Sequence, residues 1–177
     1  KRTSIIPGGV WTDTAGNRIH AHGGSLIHVD GTFYWYGENK EHSLPGSGIW
    51  HWGVRCYSSA DLYNWTDEGL IIPPEPDDPT SPLHPSQGMD RPHIIRNPDT
   101  GAFVCWVKVM SGHEQRSSVF VADQILGPYR RVQQDLKPLG IDVTIKTAPA
   151  SVLDPQEAVR KNHINGGIGT WTQDYPD

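Results

Sequence analysis

Short runs of aromatic and β-branched residues, broken by Gly, Pro, Asn and Asp, dominate the first 133 positions of the chain. Such runs predict strands joined by tight turns. A short strand over 25–28 meets its return strand over 32–36 across Asp30-Gly31, a two-residue hairpin signal. Further strands are predicted over 54–58 and 69–72, with a turn at Asp61-Leu62-Tyr63-Asn64 between them. Between 36 and 54 lies a loop marked by Gly46, Gly48 and Gly53 that carries Trp50-His51-Trp52. Upstream, Val10 to Asn17 reads as a strand end and a turn. Residues 73–88 hold Pro73, Pro74, Pro76, Pro79, Pro82 and Pro85 and predict an extended linker that cannot enter a sheet.

A second set of strands follows. Segments 93–96 and 102–110 flank Asn97-Pro98-Asp99-Thr100-Gly101, and 118–122 and 129–133 flank a turn at Leu126-Gly127-Pro128. The two sets resemble each other. Gly31-Thr-Phe-Tyr-Trp recurs as Gly101-Ala-Phe-Val-Cys-Trp, and the segment Cys56 to Trp65 as Val119 to Tyr129, at offsets of roughly 64–70 residues. A repeated unit of four strands in two hairpins predicts β-propeller blades; two unrelated hairpin pairs in a sandwich are the alternative. The expected division is blades over 1–140 and a divergent tail over 141–177, irregular or helical. Within the tail, Asp154-Pro155 followed by Gln156 to Lys161 predicts a short helix.

Composition sharpens this picture. Hydrophobic residues make up only 36%, yet there are seven Trp, six Tyr and three Phe, with 19 Gly and 15 Pro, a balance that excludes a coiled coil or helix bundle. A formal charge of −5 disfavours binding to a phosphate backbone, so no nucleic-acid partner is expected. No apolar run is long enough to span a membrane as a helix, and no membrane partner is expected. The chain opens at Lys1 without Met or an apolar signal segment and is expected to be a processed or trimmed form. Cys56 and Cys105 do not make a disulfide framework. Asn64-Trp65-Thr66 is an N-glycosylation sequon, relevant to a secreted protein, and an extracellular location is expected.

Candidate chemistry gathers at a few places. Tyr34-Trp-Tyr-Gly37-Glu38 ends an aromatic strand in a carboxylate, the combination that suits a sugar, which offers C–H faces to rings and hydroxyls to acids. The plainer alternative is a surface acid after a core strand. Asp90 precedes Arg91-Pro92-His93 at the start of the second set, where it would face a propeller's central channel, with Arg91 available to pair with it or with Glu38. Trp50 and Trp52 are candidate stacking rings, or packing beneath their loop. His20 and His22 lie on one side of an extended chain and invite a metal with Glu38, but no third ligand is spaced near them; histidines of a polar pocket fit better, and no metal is expected. No Gly-x-Ser-x-Gly elbow, phosphate loop or Cys-x-x-Cys pair occurs, and no cofactor is expected.

Five motifs in order resemble glycoside hydrolase family 43, most of all its exo-β-1,3-galactanase-like branch. They are Val10-Trp-Thr-Asp-Thr-Ala-Gly-Asn with His20-Ala-His-Gly-Gly, Gly31-Thr-Phe-Tyr-Trp-Tyr-Gly-Glu-Asn-Lys, Cys56-Tyr-Ser-Ser-Ala-Asp-Leu-Tyr-Asn-Trp, Asp90-Arg-Pro-His-Ile-Ile, and Leu126-Gly-Pro-Tyr with Lys137-Pro-Leu-Gly. The resemblance covers about residues 8–140 and implies part of a five-bladed β-propeller, about two blades, with a site for galactan-type β-linked sugar at its axis. It implies that Glu38 is the substrate carboxylate, that His22 stands beside the axis, and that Asp90 is a shorter acid where the branch usually has Glu. After Gly140 the branch's Ser-Arg-Asp segment is not matched, and its general-acid Glu would lie later still. Five blades of ~65 residues need about 325 residues. The expectation is therefore a galactanase-like chain that is inactive alone. Two alternatives are a self-associating structural protein that pairs exposed blade edges or faces, and a lectin-like binder using Glu38, Asp90 and Trp50.

Overall fold

A computed structural model describes residues 1–111 and 114–132. Among these residues, eight strands form two antiparallel sheets with simple up-and-down order. The first contains β1 (His22–Val29), β2 (Thr32–Glu38), β3 (Val54–Ser59) and β4 (Thr66–Ile72). The second contains β5 (Gly88–Arg96), β6 (Phe103–Ser111), β7 (Glu114–Ala122) and β8 (Arg130–Arg131). These are the two four-stranded blades that the repeat predicts.

Local chemistry explains the elements. Asp30 and Gly31 both adopt positive φ, 48° and 83°, as a two-residue hairpin requires. Close backbone approach explains Gly24 and Gly37. A Cβ on Gly24 would lie 1.6 Å from the Tyr36 carbonyl oxygen, and one on Gly37 would lie 2.2 Å from the Ala21 carbonyl carbon. The chain between His22 and Ser25 shifts register against β2, and only glycine lets the two backbones pass so closely there.

Several boundaries differ from the expected ones. β5 begins at Gly88 rather than 93 and contains Pro92. Pro92 is tolerated because β5 is an edge strand, with a register break between Asp90 and His93 where Arg91 takes φ 52°. β4 and β7 start earlier than expected, and β8 keeps only two residues. The proline-rich connection is not an extended linker. It folds back on itself through Glu75 N–H to Leu83 O (3.0 Å) and Ser81 Oγ to Glu75, and buries Ser81 and Leu83. The expected helix over 154–161 and the tail over 141–177 lie outside the described residues.

The principal core lies between the blades. Tyr36, Val54, Cys56 and Ile72 from the first meet Met89, Ile94, Cys105, Val107 and Phe120 from the second. Across it, the Tyr36 hydroxyl accepts from Ile94 N–H (2.8 Å) and reaches Ile94 O (3.5 Å). As the first strand of its sheet, β5 has one side without a strand neighbour among the described residues, and Tyr36 satisfies part of that edge. On the other face of the first blade, Trp35 stands edge-on between Trp11 and Trp65, with centroids at 5.5 and 5.4 Å. On the second blade's other face Val104, Val119 and Val121 are buried.

Two substitutions probe this frame. Tyr36→Phe should lower the free energy of unfolding by about 1–3 kcal/mol, because a buried donor and acceptor lose their partner. Urea titration measures this, and a change below about 0.5 kcal/mol would show that the hydroxyl does not bind the blades. Gly37→Ala should prevent native folding, seen as loss of near-ultraviolet circular dichroism.

Candidate sugar-binding site

The site lies where the end of β2, the starts of β1 and β5, and the loop over 39–53 converge. Cross-strand pairing sets His22 opposite Glu38. The Glu38 side chain is only 1% exposed. One oxygen accepts Arg91 N–H (3.0 Å); the other meets Lys40 Nζ at 2.8 Å and His22 Nδ1 at 3.4 Å. A buried carboxylate requires such partners, since an isolated charge is expensive to desolvate.

Lys40 extends the network. Its ammonium donates to the Trp50 carbonyl (2.6 Å) and lies 4.5 Å from the Trp50 ring centroid, a cation–π contact. The Trp50 indole N–H donates to Asp90 Oδ1 at 2.9 Å, and Asp90 Oδ2 lies 3.9 Å from Lys108 Nζ on the neighbouring strand. His22, Glu38, Lys40, Trp50, Asp90 and Lys108 thus form one continuous polar chain across both blades. Its exposed members are His22 at 56% and Trp50 at 44%.

The loop bearing Trp50 is anchored at both ends. Asn39 N–H donates to Gly53 O (2.9 Å) and Trp52 N–H to Asn39 O (2.8 Å). Trp50 N–H donates to Pro85 O (2.7 Å), joining the loop to the proline-rich connection. His51 is wholly buried beneath it.

The other candidate residues take the following places. Arg91 reaches Glu38 through its backbone N–H, not its guanidinium, because the register break and positive φ turn the peptide toward the carboxylate. Trp52 does not join the chain; its ring stands edge-on to His42 at 4.8 Å. His20 and His22 do not converge: His20 lines a separate polar cleft of about 390 Å³ with Arg18, Glu41, Arg55 and Asp67, and burial lowers its pKa. Asn64, the sequon residue, is hydrogen-bonded within the fold. Its Nδ2 donates to Arg2 O (2.9 Å) and Asp61 Oδ2 (2.8 Å), and its Oδ1 accepts Arg2 N–H (2.8 Å), so the amide staples the N-terminal segment. Cys56 and Cys105 are free thiols in the core, pushed up to about 12 by burial, which suits packing rather than reactivity. No group of three or more His, Cys, Asp or Glu among the described residues is placed to hold a metal.

Lys40 and Lys108 were missed. Lys40 had a signal: it stands two residues after Glu38, the spacing that keeps side chains on one face of an extended chain. Lys108 had none, because its meeting with Asp90 depends on the β5–β6 register.

The architecture is that of a propeller glycosidase. No family model and no curated protein matches the chain, but solved structures do. An exo-β-1,3-galactanase from Phanerochaete chrysosporium, in complex with β-1,3-galactotriose, is 34% identical with a TM-score of 0.64 over 72% of this chain and 29% of its own. A family 43 β-1,3-galactosidase with galactodeoxynojirimycin is 32% identical with a TM-score of 0.64, over 89% of this chain and 49% of its own. An exo-β-1,3-galactanase from Clostridium thermocellum is 28% identical with a TM-score of 0.60, over 78% and 29%. This chain therefore spans from under a third to about half the length of these relatives. The described residues are two blades of a glycoside hydrolase family 43 propeller of the exo-β-1,3-galactanase-like branch.

Removing Lys40 tests the electrostatics. Lys40→Ala should destabilise the fold by on the order of 3 kcal/mol, since it leaves the buried Glu38 charge without its closest cation. In the Glu38→Gln background the same change should cost far less. Equal losses in both backgrounds, measured by urea unfolding, would refute the pairing.

Proposed function

We propose that these blades recognise the galactose end of a β-1,3-linked galactan and that the 177-residue chain alone binds it without cleaving it. The observation carrying this reading is the Trp50 indole, 44% exposed and bonded edge-on to Asp90. A ring beside an acid suits the C–H face and hydroxyls of one sugar. The relatives solved with a β-1,3-galactotriose and with galactodeoxynojirimycin supply the choice of sugar. His22, exposed at the same place, is the further hydroxyl partner, and Glu38 supports it from below.

Hydrolysis asks for more. Two carboxyl groups must flank the scissile bond, one of them able to deliver a proton. Glu38 accepts Arg91 N–H and lies against Lys40 Nζ and His22 Nδ1, and Asp90 accepts the Trp50 indole N–H and faces Lys108, which supports reading both acids as recognition groups. A polymer end of this kind is met outside the cell, and we place the protein there.

Isothermal titration with β-1,3-galactobiose tests the reading. Wild-type chain should bind it in preference to cellobiose. Trp50→Ala and Asp90→Ala should each weaken binding by about tenfold or more, the equivalent of one hydrogen bond to a charged group. Absence of binding, or unchanged affinity in both variants, would overturn the reading. Release of galactose by the wild-type chain would overturn its non-hydrolytic part.

A further inference from the structure

The Trp50 ring is useful as a platform only if its loop is held, and the holding group is a histidine that the site does not otherwise use. His51 is 0% exposed. Its Nδ1 accepts Gly53 N–H at 2.9 Å, and its Nε2 lies 3.2 Å from the His84 carbonyl. An N–H donor facing Nδ1 and a carbonyl facing Nε2 leave one arrangement of protons: Nδ1 bare and Nε2 protonated. The neutral ring thereby clamps the 50–53 turn to the connection before β5, next to the Trp50 N–H bond to Pro85 O. A second proton has one place to go, Nδ1, where it would oppose the Gly53 N–H.

The geometry points to His51 as the positioning residue of the Trp50 platform and as the group whose protonation releases it. The charges around the ring agree. Lys40 on the loop and His84 on the connection oppose its protonation, and Asp90 on β5 favours it. Burial is the largest effect; with Lys40 and His84 it outweighs the hydrogen bond to the His84 carbonyl and the Asp90 charge, and it lowers the pKa from 6.5 to about 4. The sign follows: an imidazole depressed in the closed form stabilises that form fully above about 6.5. The contribution is lost as pH falls toward 4, because the opened form takes up the proton first. The inference concerns where Trp50 sits. Only its consequence for a sugar rests on the function proposed above.

Nuclear magnetic resonance of the 177-residue chain reads it without any ligand. The Trp50 indole N–H resonance is assigned with Trp50→Phe. Its hydrogen exchange, corrected for intrinsic pH dependence, should accelerate about tenfold per pH unit between 6.5 and 4, as one coupled proton dictates. His51→Asn keeps an oxygen acceptor for Gly53 N–H but cannot titrate, and His51→Gln keeps a donor toward the His84 carbonyl. Either variant should flatten that pH step. A step that persists in a folded variant overturns the proposal. If neither variant folds, imidazole 15N shifts of the wild type decide. Nδ1 should be unprotonated at neutral pH and should titrate in step with the Trp50 signal; a protonated Nδ1, or two separate transitions, overturns it. Loss of β-1,3-galactobiose affinity over the same range extends the effect to the sugar. An indole step without any sugar binding removes the functional reading and leaves the clamp.

Discussion

One phenol sets the relation between the two blades. A sheet's first strand carries backbone donors and acceptors with no strand to receive them, and in β5 that edge lies against the first blade's core. Tyr36 meets the need by placing its hydroxyl on both backbone groups of Ile94, 58 residues away in sequence. The bond is directional in a way that apolar packing is not. With Tyr36 placed against Ile94, Glu38 two residues further along β2 meets Arg91 N–H three residues earlier along β5. The site inherits its geometry from the core beneath it.

Electrostatics then decides the roles of the acids. Glu38 is surrounded by a backbone N–H, an ammonium and an imidazole, and acts as the centre on which His22 and Lys40 are arranged. Asp90, less deeply set, takes the indole N–H and faces Lys108. Lys40 is the shared member, holding Glu38 with its charge and Trp50 through both ring and carbonyl. The aromatic platform and the buried acid are therefore coupled through a single ammonium group.

The turns, strands and repeat were legible because they are local. Asp30-Gly31 selects its hairpin from backbone conformational freedom alone, and the unbroken aromatic run over 33–36 marks a strand packed on both faces. Glu38, Asp90 and Trp50 were legible as candidates from residue type beside strand ends and glycine. The start of β5 was not, because Pro92 reads as a breaker unless its strand is known to be an edge. The compact fold of the proline-rich connection was hidden too, since Ser81 and Leu83 become buried only when that segment turns back on itself.

The amino-acid sequence by itself determined the strands, the hairpins, the two-blade repeat and which residue types stand at their ends. These follow from steric preferences and from side chains that alternate every second residue. Only tertiary structure decided that Glu38 is enclosed, that Arg91 serves it through its backbone, that Trp50 reaches Asp90 across 40 residues, and that His51 carries its proton on Nε2. Each of these depends on which polar group lies opposite another once water is excluded. That is set by the register and packing of the two sheets, which no local stretch of chain contains.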